Sequence, residues 1–283
     1  MFEEMKIRHL FGLTLLLLII FGIGGIFLPY TEDFVGAAFS LILYIAAPVI
    51  FFRYHFRKQG RSVREVVFTH RSKAWLPWLL GIVGISIAFS LSVFWLQLIA
   101  LYPIFPGFVD FLLELTPMPE NPIYLIISIL IIAIIGPISE EFIFRGVLLK
   151  RLMKKTSMWG GIVISSLLFG ILHADIIGAF VFGVVASLLY LKTSNLLIPI
   201  IMHILNNSTA VIWMYVAPTW PQWVVYQSSE LYANAWPNMI MLVISSILMT
   251  WVIVRLARGL RRKIGEDEIS SNYVDSEEDT MIN

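Results

Sequence analysis

The sequence predicts an all-α fold, a polytopic membrane helical bundle of about eight transmembrane helices. Three observations carry this. Hydrophobic residues make up 58% of the 283 and charged residues only 14%, against about 45–50% and 25% in soluble domains. Apolar runs of membrane-crossing length, about 17–25 residues as helix, recur along most of the chain. No polar stretch between them is long enough for a soluble domain, so residues 1–263 are expected to form a single bundle, and 264–283 an acidic, disordered tail.

In chain order the expected spans are roughly 10–29, 34–52, 75–101, 122–149, 159–174, 176–191, 196–217 and 238–256. The first follows Lys6 and Arg8 as a signal peptide would, but its apolar core is too long and no small-residue cleavage site follows, so it reads as an uncleaved span. Residues 103–119, "PIFPGFVDFLLELTPMP", alternate apolar side chains with Asp110 and Glu114, as in a short interfacial helix. Residues 218–237, "PTWPQWVVYQSSELYANAWP", carry the Trp and Tyr of an aromatic belt.

Charge sets the orientation. Of the 20 Lys and Arg, all but Arg145 fall before the first span, in loops 53–74, 150–158 and 192–195, or after the last span. The opposite loops hold only acids, among them Glu32, Asp33, Asp110, Glu114, Glu120 and Glu230. The positive-inside rule then places both termini in the cytoplasm of a multi-pass protein of the cell membrane. A net charge of +1 gives no support for a nucleic-acid partner. The absence of cysteine removes disulfides, thiolate metal sites and a cysteine nucleophile.

Against this background the segment "GPISEEFIFRG", Gly136 to Gly146, is costly. A charge at a helix centre costs about 2.5–3.5 kcal/mol to insert, and Ile or Leu returns about 0.3–0.6. Other polar residues within spans are His173, at the end of the fifth, and His203 and Asn207 in the seventh. At about 1.5 Å per residue, Glu140 lies roughly 15 Å from the basic edge, His173 about 21 Å, His203 about 12 Å and Asn207 about 18 Å. Three helices thus bring polar groups to one slab of the membrane, where a bundle can converge them.

Glu141 and Arg145 are four apart with the acid first, the favourable order for an ion pair, and a packing role suits them. Glu140 points about 100° away and has no basic residue at i+3 or i+4. A neighbouring helix must therefore supply its partner, with a histidine and water the natural candidates. Such a carboxylate can act as general base on a water held with His173, while His203 and Asn207 offer donors to a tetrahedral oxyanion. No H-E-x-x-H or G-x-S-x-G occurs. Ligand count alone leaves open a zinc site of Glu140, His173 and His203.

"EEFIFRG", "FGILH" and "HILNN" fit E-E-x-x-x-R, F-x-x-x-H and H-x-x-x-N, in order on successive hydrophobic segments. Over residues 120–215 the chain therefore resembles the CaaX-protease and bacteriocin-processing (Abi) family of intramembrane proteases. The resemblance implies an eight-helix glutamate-type endopeptidase without a catalytic metal or other cofactor. Glu140 would be the base acting with His173, and His203 and Asn207 the oxyanion site. Glu141 and Arg145 would support them, and Phe169 would pack beneath His173. The implied partner is a membrane-associated protein or peptide, prenylated or of bacteriocin type. Alternatives are a zinc-dependent form of the same protease and a non-catalytic immunity or scaffold protein. A transporter fits less well, because paired broken helices are absent.

Overall fold

The computed structural model describes residues 2–25, 31–67, 75–114, 119–216 and 224–260. Among them there is no strand, and ten helices are named here in chain order: α1 Ile7–Gly25, α2 Glu32–Lys58, α3 Val63–Val67, α4 Leu76–Leu101, α5 Pro106–Leu113, α6 Pro122–Lys155, α7 Met158–Ile171, α8 Ile176–Thr193, α9 Leu197–Val216 and α10 Ala235–Ala257. Seven are long and apolar enough to cross a membrane, and the 14-residue α7 is a shorter apolar helix. With α7 the expected eight are present. Two of them outrun the expected ends. α2 and α6 continue through their basic residues to Lys58 and Lys155, because good helix formers such as Lys and Arg carry the helix past the hydrocarbon edge.

Of the seven long spans, α8 is the most buried. It packs against α4, α7, α9 and α10, while α6 lies against α7 and α9, and α2 and α1 pack outside α6. α7 and α8 form a close hairpin. Gly170 makes the approach feasible: a Cβ there would stand 2.6 Å from the Ile176 carbonyl oxygen. The hairpin corrects one expectation. α7 ends at Ile171, and His173 lies in the turn before α8 rather than on the helix. Asp175 starts the new helix by accepting the Gly178 N–H at 2.9 Å, a side-chain cap that competes with further helix.

Two spans carry π-helical turns just before a proline. In α2 the turn is Ile42–Ala46, followed by Pro48; in α6 it is Ile131–Ile135, followed by Pro137. Proline has no N–H and crowds the preceding turn, so widening the helix there relieves the clash. The expected kink at Gly136-Pro137 therefore takes the form of a local change of helix type. Gly136 is required by it, since a Cβ would come within 2.9 Å of the Ile131 oxygen.

The segment read as interfacial does form α5, but Val109 is fully buried with Trp95, Leu98 and Leu231, so it packs on the bundle. Of the proposed aromatic belt, residues 218–223 lie outside the described residues, as does the acidic tail. At the opposite end Phe2 packs on Phe56 and Phe142, and Arg151 donates to the Glu3 and Met5 carbonyls. The residues before the first span are thus tied to α2 and α6.

Candidate active site

Glu141 is fully buried, and its Oε1 accepts two charged or polar donors, Arg145 Nη1 at 2.8 Å and His203 Nδ1 at 2.8 Å. The i,i+4 pair expected from sequence is present, and the histidine joins it from α9. Arg145 Nη2 and Glu141 Oε2 find no partner among the described protein groups. The Arg145 guanidinium lies instead over the Phe169 ring, 4.5 Å from its centroid, where a planar cation meets the negative π face.

Phe169 is the hub of the cluster. His173 lies 4.5 Å from its centroid and His203 5.7 Å, with Phe144 edge-on at 5.1 Å and Phe182 stacked at 6.1 Å. The expectation that Phe169 packs beside His173 is met. A ring held by five neighbours fixes both imidazoles with little freedom to rotate.

His203 spans the two glutamates. Its Nδ1 faces Glu141, and its Nε2 lies 3.7 Å from Glu140 Oε2. Glu140 is therefore closest to His203, a histidine from a neighbouring helix; the sequence reading asked for such a partner without choosing which histidine it is. Among the described ion pairs none joins His173 to Glu140. The other side of Glu140 meets Tyr44 of α2. His173 Nδ1 lies 2.8 Å from the Phe169 carbonyl oxygen. A carbonyl can only accept, so Nδ1 carries the hydrogen, and Nε2 is left to take a proton.

Asn207 completes the set through the helix irregularity. In the π register Gly136 N–H reaches back five residues to the Ile131 carbonyl. The next such bond would run from Pro137 to Ile132, but proline has no N–H. Asn207 Nδ2 fills that carbonyl at 3.0 Å, which leaves the second amide hydrogen for another acceptor. In α2, Ser139 Oγ donates to the carbonyl of Tyr44, which stands four residues before Pro48 and so lacks an α-helical N–H partner. Both prolines thus knit α6 to its neighbours on either side of Glu140.

A cavity of about 180 Å³ adjoins this cluster, lined on one wall by His173, His203 and Asn207 and on another by Ser86 and Ser90 of α4. Glu140 is not among its lining residues but lies 3.7 Å from His203, which is. Sequence reasoning missed the serine wall. Ser90 hydrogen-bonds to Asp175, whereas Ser86 Oγ is buried and has no partner among the described residues. Their i,i+4 spacing on an otherwise apolar helix is the signal that could have found them. Tyr44 left no such signal, because one tyrosine in a span is ordinary. Among the described residues no three His, Asp or Glu groups gather as a metal-ligand set.

Comparison with known proteins agrees with this arrangement of motifs. Residues 122–209 match the family model described as type II CAAX prenyl endopeptidase Rce1-like. The chain is 36% identical over 89 residues to YdiL of Bacillus subtilis, named as a candidate membrane peptidase; the alignment covers 30% of this chain and 36% of the relative. It is 28% identical over 192 residues to MroQ of Staphylococcus aureus, named a membrane-embedded CAAX protease, covering 63% of this chain and 74% of the relative. A 24.3 kDa protein of Escherichia coli is 29% identical over 136 residues, 45% of this chain and 59% of the relative. The chain thus spans about a third of the first relative and more of the others. No solved structure matches. The matched residues 122–209 contain every motif of the cluster, and there the chain is similar to the Rce1-like CAAX prenyl endopeptidases.

Proposed function

We propose that this multi-pass protein is a glutamate-type intramembrane endopeptidase that hydrolyses a peptide bond in a membrane-associated substrate, with no metal required. The observation that carries the reading is the set of groups around one cavity: His173 with Nε2 open, Asn207 with an amide hydrogen to spare, and His203 turned toward Glu140. Glu140, with His173, takes a proton from water as the water oxygen attacks the scissile carbonyl carbon. The resulting oxyanion accepts from Asn207 Nδ2, and from His203 Nε2 when that ring carries a hydrogen on both nitrogens, since Nδ1 already donates to Glu141. Collapse breaks the C–N bond, and the proton first taken from water passes to the departing amine. Water is consumed; a new carboxylate and a new amine are formed.

Glu141, Arg145 and Phe169 hold His203 and His173 in register for this chemistry, as a rigid supporting layer does elsewhere. The basic loops face the cytoplasm in this reading, and the substrate is a prenylated C-terminal segment or a membrane-bound peptide. Purified protein tested on a farnesylated C-terminal peptide in detergent should cleave it, and should retain that activity in chelator. Loss of activity in EDTA, with recovery on adding zinc, would establish the zinc-dependent form instead.

A further inference from the structure

A second cavity lies at the end of the bundle that carries the basic residues. It is about 540 Å³, within the range of ligand pockets. Its walls are the start of α4 (Trp75, Trp78, Ile82, Ile85) and the end of α10 (Trp251, Arg255), with Arg258 beyond the helix end. Arg255 lies about 30 Å along α10 from Ala235, one hydrocarbon thickness, and so at the headgroup level. Its guanidinium stands 6.0 Å from the Trp78 ring and 5.9 Å from the Trp251 ring. Among the described residues neither Arg255 nor Arg258 makes an ion pair with a carboxylate.

A helix C-terminus ordinarily repels anions, because its last carbonyls carry partial negative charge. Here that pole is covered. Lys192 Nζ, from the end of α8, donates to the carbonyls of Arg255 at 2.9 Å, Leu256 at 3.2 Å and Arg258 at 3.4 Å. The result is two guanidinium groups beside a neutralised helix end, above a tryptophan-rimmed apolar trough that opens to the lipid. A guanidinium pair matches a phosphate, and the trough matches acyl chain.

We propose that this cavity binds one anionic phospholipid of the leaflet on the basic side, its phosphate on Arg255 and Arg258 and an acyl chain along Ile82 and Ile85. The site is independent of the peptidase reading. The test uses the full chain purified in detergent and offered phosphatidylglycerol or phosphatidylcholine of the same acyl chains, with bound lipid counted by native mass spectrometry. Wild-type protein should retain phosphatidylglycerol in preference. The double variant R255Q/R258Q should lose that preference by on the order of tenfold, with helicity and melting temperature unchanged. Removal of an exposed charge elsewhere on the same face, R64Q, should leave it intact. Trp251→Leu, which keeps both arginines but removes one wall of the trough, should weaken retention as well. Equal retention of the two lipids by wild-type protein, or equal loss in R64Q and in R255Q/R258Q, would overturn the proposal.

Discussion

At Glu140 and Glu141, adjacent residues of one kind occupy two different environments. Glu141 is buried with Arg145 and His203 as donors, so its replacement should act on stability: breaking a buried pair by removing one partner costs about 3–5 kcal/mol. Glu141→Leu is expected to lower the melting temperature of purified protein clearly, and Arg145→Leu to do the same. Glu140 has a long contact to His203, meets Tyr44 and keeps some exposure. Glu140→Gln should therefore leave melting unchanged while reducing cleavage by about 10²–10⁴-fold, the range for loss of a general base. Ser86 offers a finer test. Its hydroxyl has no partner among the described residues, so Ser86→Ala should not destabilise the fold. If that hydroxyl binds substrate in the cavity, kcat/KM should fall about 2–10-fold, the worth of one hydrogen bond. An unchanged kcat/KM would mean that Ser86 faces substrate without bonding it.

Helices, more than side chains, decide where these groups meet. Sequence periodicity gave the Glu141–Arg145 pair, because it is internal to one helix and needs only the i,i+4 rule. It left open which histidine stands nearest Glu140, because the choice between His173 and His203 depends on the turn that Asp175 imposes and on the packing of α9 against α6. The role of Pro137 was visible only as a kink; that it frees the Ile132 carbonyl for Asn207 requires knowing the π register. Pro137→Ala tests this link. It restores an N–H able to compete for Ile132, so Asn207 loses its anchor. Activity should drop about tenfold or more, by mispositioning of an oxyanion donor, with stability held or raised. Gly170→Ala acts between elements instead: with a Cβ only 2.6 Å from a backbone oxygen of α8, the hairpin must spread, at about 1–3 kcal/mol. Thermal unfolding of the variant in detergent measures it.

For the whole molecule, composition and hydropathy were enough to give the class and the number of spans, since lipid leaves the backbone few alternatives to helix. The order of packing, with α8 innermost and α1 at the lipid edge, was not legible, because all these spans are apolar and hydropathy does not rank them. The orientation expected from the basic loops is testable because the chain contains no cysteine. Single cysteines at the exposed positions Lys154 and Ser229 should differ: an impermeant maleimide applied to intact cells should label S229C and not K154C. The reverse pattern would place the basic face outside.

The central claim is that Glu140 drives peptide hydrolysis within the bundle. It is tested most directly by comparing membrane-associated peptides from cells that carry either the wild-type chain or Glu140→Gln at equal abundance. Fragments present with the wild type and absent with the variant, their new ends mapping near a membrane surface, are the predicted result. Identical fragment sets from the two strains, with both proteins folded and inserted, would contradict it.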